Sequence, residues 1–297
     1  MPLFFLISGY LYNGKNTFKQ FLLGKVKSLY IPFVMWNIIV LVIKTICSPK
    51  ALIRNMNLVF QVMLTLNKDG QFLGATWFLG ALFVVSIAYK FCDTYIKDCC
   101  WKRLFITVCF GCLAVIGFEI SLPFMFSRTL ILGGFYALGY WVRDYQNKLN
   151  EFDKWWLAGA ALLIFIVIGH YNSANMGANE YKYRGSFVIG ACLMSYAVIF
   201  ISRLIEKYDK VLLFRWIEKI LGYFGKKSMD ILIWQFVAFR IVIALQLQLN
   251  EIPLNQLFKY YPVYEAKDYW WTIYTLVGLI VPILWGNLLR VVCVWRR

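Results

Sequence analysis

Charge is what this sequence has least of. Asp, Glu, Lys and Arg make up 15% of its 297 residues, against 61% hydrophobic residues and a mean hydropathy of +0.63. A soluble domain carries roughly a quarter charged residues, so the deficit excludes a soluble fold and requires lipid to solvate most of the surface. Also missing is any basic stretch ahead of the first apolar run, or a small-residue cleavage site after it, which excludes a secretory signal peptide. No internal repeat and no low-complexity tract interrupts the chain, and one membrane domain over residues 1–297 is the economical reading. Of the eight cysteines, Cys109 and Cys112 have CxxC spacing within FITVCFGCLAVIGF, but no second ligand pair accompanies them. That lack argues against a zinc or redox centre, leaves no metal ligand set, and leaves the thiols as small hydrophobes without a disulfide framework. Histidine is reduced to one residue, His170.

What is present is a succession of nine apolar runs: Met1–Tyr12, Leu29–Cys47, Thr76–Cys92, Leu104–Ile120, Phe124–Val142, Trp155–Tyr171, Gly185–Ser202, Met229–Leu249 and Tyr269–Val294. A bilayer core needs about 20 apolar residues per helix. The first run is too short and reads as a partial helix. The pattern predicts an all-α, polytopic transmembrane bundle of about eight full spans plus that short N-terminal piece. Alternate connections divide Lys and Arg unevenly, 21 of the 31 falling in one set. The positive-inside bias puts this set, with Arg296 and Arg297, in the cytoplasm. Met1 and the loops around Gln71, His170 and Tyr261 then face outward. The richest inner connection carries Arg203, Lys207, Lys210, Arg215, Lys219, Lys226 and Lys227. The net charge of +16 is thus spread in loop clusters, which fits anionic lipid headgroups rather than nucleic acid. Trp101, Trp141, Trp155, Trp156, Trp216, Trp270, Trp271 and Trp295 lie in or near the connections, where amphipathic rings favour the interface.

Polar residues at depth are costly and mark functional candidates. Arg128 is near the start of the fifth run, Glu119 closes the fourth, Arg184 opens the seventh, and His170 ends the sixth. Arg128, His170 and Arg184 are expected on the same outer side. Arg240 is in the middle of the eighth run, with Gln235 and Asp230 before it. At about 100° per residue, Gln235 and Arg240 point in directions about 140° apart, and Asp230 and Arg240 about 80° apart. Each has a plainer reading. Arginines near helix ends snorkel to the interface, Asp230 suits a helix start, and a lone interfacial histidine is a structural group. The loop after His170, with Asn172, Asn175, Asn179, Glu180, Tyr181, Lys182 and Tyr183, could bind a sugar or be solvated.

Four strings, taken in order, resemble a known family. MPLFFLISGYLY, then a lysine-bearing stretch and SLYIPFVMWNII, is similar to the opening of the membrane-bound acyltransferase 3 family. ATWFLGALF resembles its Trp-Phe-Leu helix start at Trp77, Phe78 and Leu79. ILGGFYALGYWVRD resembles its Phe-x-x-x-Gly helix end at Phe135 and Gly139, and GYFGKKSMDILIWQF its Gly-Lys-x-Ser entry at Gly225 and Ser228. The likeness is nearest to the bacterial branch that acetylates sugars, such as fucose 4-O-acetylase-like proteins.

The resemblance implies O-acyl transfer, usually of acetyl, from acetyl-CoA or another acyl-CoA co-substrate to a hydroxyl of an envelope carbohydrate or lipid-linked sugar. No bound cofactor is implied. Such chemistry needs a base for the hydroxyl proton and donors for the tetrahedral oxyanion. CoA phosphates call for arginine or lysine. Candidate contacts to substrate or acyl-CoA are Arg128, Arg184, Arg240, Gln235 and Trp77. The family's catalytic histidine lies on the first transmembrane helix, upstream of Phe-Phe-x-x-Ser-Gly. This chain starts at Met1 inside that region, so an N-terminally shortened copy lacking the histidine helix is expected. His170 is a candidate by residue type and not by position, and many relatives have histidine where this chain reads Trp234-Gln235. Competing readings are a transporter or flippase for a polar lipid or glycan precursor, for which broken helices or repeats should be seen, and a catalytically inactive membrane remnant. The implied location is a bacterial plasma membrane.

Overall fold

The computed structural model describes residues 1–47, 52–65, 73–97, 99, 101–123, 125–145, 154–208, 210–257, 259–260 and 262–294. The predicted loop residue Gln71, the run start Phe124, Tyr261 and the C-terminal Trp295, Arg296 and Arg297 lie outside them. All nine apolar runs are helical. They form α1 (Pro2–Tyr10), α3 (Ile31–Cys47), α5 (Trp77–Tyr95), α6 (Lys102–Glu119), α7 (Phe126–Asp144), α8 (Trp155–Tyr171), α9 (Arg184–Lys207), α11 (Ser228–Leu249) and α12 (Trp270–Val294). Three further helices fall outside those runs: α2 (Phe18–Lys25), α4 (Leu52–Thr65) and α10 (Leu212–Lys226). A two-stranded hairpin, β1 (Ala174–Asn175) and β2 (Glu180–Tyr181), joins α8 to α9. The architecture is an all-α membrane bundle. Five stretches are long and apolar enough to cross a bilayer: Phe18–Val42, Gly74–Tyr95, Arg184–Lys207, Ser228–Leu249 and Trp270–Leu288. The first of these continues from α2 into α3 through a π-helical turn, Val26–Tyr30. The start of α2 is fixed by a reciprocal cap, Thr17 Oγ1 accepting from the Gln20 N–H at 3.3 Å and Gln20 Oε1 from the Thr17 N–H at 3.2 Å.

The chain packs as two compact units interleaved in sequence, Met1–Pro32 with Phe78–Arg215, and Phe33–Trp77 with Trp216–Arg297. In the first unit α1 and α7 cross with their backbones in direct apposition. A Cβ on Gly9 would overlap the Tyr136 carbonyl oxygen, and one on Gly139 would overlap that of Leu6. Leu6 therefore meets Gly139 while Gly9 meets Tyr136, so the helices run antiparallel. Only glycines permit such an approach, which is how helices gain close packing where lipid supplies no hydrophobic drive. Both glycines belong to the motifs noted above, Ser-Gly and Phe-x-x-x-Gly. Gly117 seats α6 on α7 in a similar way, its would-be Cβ 2.6 Å from the Ser127 carbonyl oxygen.

Beside this crossing lies a knot of Tyr12, Tyr89, Tyr136 and Tyr140, with ring centroids 5.1–6.5 Å apart. The Tyr12 hydroxyl donates to Asp93 Oδ2 at 2.6 Å, and burial, then that bond, raises its pKa. Lys90 donates to the Gly14 carbonyl at 2.9 Å, Arg143 to that of Tyr12 at 2.8 Å, and Lys102 faces the Asp93 carboxylate at 3.4 Å. Arg103 pairs with Asp144, which raises the arginine's pKa further. In the second unit α11 and α12 pack together, with Gly278 under Phe239 and Gly286 against the Asp230 carboxylate.

The glycine crossing makes a sharp prediction. Overpacking a core costs about 1–3 kcal/mol where side chains can give way, and here the obstacle is backbone. Gly9→Leu or Gly139→Leu should abolish the monodisperse peak on size-exclusion chromatography in detergent. Gly159→Leu, where a side chain would meet open space, should preserve it.

Candidate functional site

The residues of the first unit that the charge bias predicts to face outward gather on the hairpin between α8 and α9. Asn172 closes its base, donating to the Tyr183 carbonyl at 3.1 Å and accepting from the Tyr183 N–H at 3.0 Å. Asn179 turns the tip in the left-handed region at φ 62°, a conformation that asparagine tolerates better than most residues. Tyr181 lays its ring against Phe118 and Phe187, at centroid distances of 5.0 and 4.8 Å. Burial pushes its phenol up to about 12 despite the opposing pull of Arg128, so it is neutral at physiological pH. Arg128, in the first turn of α7, donates from Nη1 to the Gly177 carbonyl at 2.7 Å. Arg184, at the start of α9, forms an ion pair with Glu119 at the end of α6.

Arg128 and Arg184 therefore converge on one end of this unit. His170 is at the same end, but it is exposed and its ring meets that of Tyr171 at 5.0 Å. Two concavities adjoin there and share Ala174. One, of about 510 Å³, is lined by the polar residues Ser173, Asn175, Glu180 and Lys182. The other, of about 340 Å³, is mostly apolar, with Met1, Phe165, Phe187, Met194 and Ser195 among its walls. A hydrogen-bonding rim beside an apolar cavity suits an amphipathic ligand.

Trp77, Gln235 and Arg240 belong to the second unit. Trp77 is buried at the start of α5, directly after a 3-10 turn, Gly74–Thr76. Gln235 is half-buried on α11 beside Trp234, whose ring packs edge-on against Trp36 at 4.9 Å and Trp285 at 6.1 Å. Arg240 is buried on the same helix. Its Nη1 donates to the carbonyls of Leu257 and Tyr260, each at 2.7 Å. One turn and a half further on, Gln246 donates to the Glu265 carbonyl at 2.8 Å and accepts from the Tyr274 hydroxyl at 2.6 Å. These bonds tie the connection between α11 and α12 to the helices. Asp230, by contrast, serves the opposite end of α11, where it abuts Gly286.

Two polar residues at depth went unnoticed in the sequence reading. Asn37 and Thr76 are both fully buried, the Asn37 amide donating to the Phe33 carbonyl at 2.8 Å and to Thr76 Oγ1 at 3.4 Å. Thr76 Oγ1 in turn donates to the Leu73 carbonyl at 2.7 Å. The signal was an asparagine inside an apolar run, in the string SLYIPFVMWNII. Among the described residues, no three of His, Cys, Asp and Glu converge as a metal would require.

A family model described as an acyltransferase domain matches residues 1–291. No curated protein and no solved structure matches the chain.

The Arg128 bond yields a local test. Losing a hydrogen bond to a charged group costs about 1.5–3 kcal/mol, and each 1.4 kcal/mol corresponds to about tenfold. Arg128→Met should speed limited tryptic cleavage after Lys182 about tenfold. Arg184→Met should change it little, because an exposed ion pair contributes at most about 1 kcal/mol.

Proposed function

The chain belongs to the acyltransferase 3 family, and from that premise we propose that it moves an acetyl group from acetyl-CoA to a hydroxyl of an envelope glycan or lipid-linked sugar. The observation that carries this reading is the family match over residues 1–291. Its multi-pass membrane character agrees with an acceptor carried on or beyond a bilayer, which we take to be a bacterial plasma membrane. In the reaction a C–O bond forms as the thioester C–S bond breaks. The hydroxyl proton passes through a base to the departing CoA thiolate. The oxyanion of the tetrahedral intermediate needs preorganised donors.

Arg128 and Arg240 are the residues we assign to this work, with Arg184, Gln235 and Trp77 as further contacts. What supports Arg240 is its burial in the middle of a bilayer-length helix whose other charged residue, Asp230, lies in the first turn; an intramembrane cation is expensive unless it is used. What supports Arg128 is its bond to the tip of the hairpin whose strands line one of the concavities. His170, exposed at the same end, is the histidine this stretch of chain offers for proton transfer.

Deleting the gene should remove alkali-labile acetate from the envelope glycans. Complementation with the wild-type gene should restore it, and Arg128→Ala or Arg240→Ala should restore less than about a tenth, with protein levels checked by immunoblot. Unchanged acetate in the deletion strain would refute the proposal. Substrate counterflow without acetyl-CoA turnover in proteoliposomes would instead assign a transporter.

A further inference from the structure

The helix α10, Leu212–Lys226, lies within the densest basic connection and is amphipathic along its length. Leu212, Leu213, Trp216, Ile220 and Tyr223 are each 46–67% exposed, and no residue of the helix is buried. At about 100° per residue these five side chains share an arc of about 100°. Arg215, Lys219 and Lys226 share another of about 40°, directly beside it. Lys219 Nζ lies 5.9 Å from the Trp216 ring centroid, so the cation and the indole stand at the same boundary.

The helix cannot cross a bilayer. Fifteen residues rise about 22 Å, short of a hydrocarbon core of about 30 Å, and Arg215, Glu218 and Lys219 interrupt the sequence. Both its ends are nevertheless bound to bilayer-crossing stretches. Four residues separate it from the end of α9, and Lys227 alone separates it from α11. Two stretches of that length and apolarity, each crossing the bilayer, would put both its ends at a membrane surface.

We propose that α10 lies in the plane of the membrane and binds anionic phospholipid. Its apolar arc is sunk into the acyl boundary, and Lys219 and Lys226 contact headgroup phosphates. A helix with one strongly basic edge and one aliphatic–aromatic face binds in this way, through buried apolar area and attraction to negative lipid together. Charge decides the occupant. The helix carries one acidic residue, Glu218, against Arg215, Lys219 and Lys226, and a second copy of a chain with net charge +16 would bring like charge to like. Anionic lipid is the complementary surface.

The test places an environment-sensitive fluorescent amino acid at Ile220 or at Glu218 of the full chain. The protein is then reconstituted in nanodiscs of phosphatidylcholine, with or without phosphatidylglycerol, and quenched with doxyl-labelled lipid. Quenching at position 220 should exceed that at 218 severalfold. The difference should grow with phosphatidylglycerol and shrink in 1 M salt, and Lys219→Glu with Lys226→Glu should remove its phosphatidylglycerol dependence. The wild-type salt titration needs no variant to fold. A label at 220 that is shielded from water yet not quenched by lipid would overturn the proposal in favour of a protein partner or second copy. Equal quenching at 218 and 220 would overturn the orientation. Equal quenching in both lipid mixtures would overturn the anionic preference.

Discussion

A bilayer offers no water to a cation at depth, so buried Lys90 and Arg240 must find partners in the protein, and the half-buried Arg128 and exposed Arg143 make bonds of the same kind. In this chain the partner is repeatedly a backbone carbonyl outside the helix that carries the cation. Arg240 holds the carbonyls of Leu257 and Tyr260, Lys90 that of Gly14, Arg143 that of Tyr12, and Arg128 that of Gly177. Irregular backbone has carbonyls without helical partners, and long basic side chains can reach them. The exchange satisfies both groups at once and ties down the segments that connect helices. The glycine crossing of α1 and α7 depends on the same economy. It brings Tyr12, at the end of α1, within reach of Asp93, and leaves the Tyr12 carbonyl for Arg143.

This arrangement changes how the positive charge is understood. An excess of Lys and Arg suggests many sites for CoA phosphates. Yet around the tyrosine knot Lys90, Lys102, Arg103 and Arg143 each already hold a carbonyl or carboxylate of the same unit. Lys219 and Lys226 of α10 are exposed instead, beside an apolar face. The chain thus divides its cations between internal bracing and a surface suited to anionic lipid. Arg128 and Arg240, which we propose for acyl transfer, each also make a bond to a connecting segment of their own unit.

Much of the fold was legible because each long helix is written as one continuous apolar run. Trp155–Tyr171 was read to the residue, and the other runs differ from their helices by a few residues at the ends. The helices α2, α4 and α10 lie outside the predicted runs for a physical reason. Their apolar residues recur with the helical period and never accumulate into a run, so a search for bilayer-length stretches passes over them. Gly9 and Gly139 were visible as parts of two motifs, but their meeting was not, since nothing local to Ser-Gly points to a helix some 130 residues away. Arg240 stood out by depth alone, while its partners are 17 and 20 residues further on, in a connection with no distinctive composition. Asn37 and Thr76 were hidden by neighbours that hydropathy averages away. The family resemblance in four strings and the family match over residues 1–291 agree, and they support acyl transfer.

The claim that carbonyl-bound cations hold the connections is tested most directly by hydrogen exchange in lipid nanodiscs, comparing the wild type with Lys90→Met, Arg143→Met and Arg240→Met. The account predicts faster exchange in residues 11–16 for the first two variants and in residues 254–257 and 262–267 for the third, while the helices keep their protection. Unchanged exchange in those connections would contradict it.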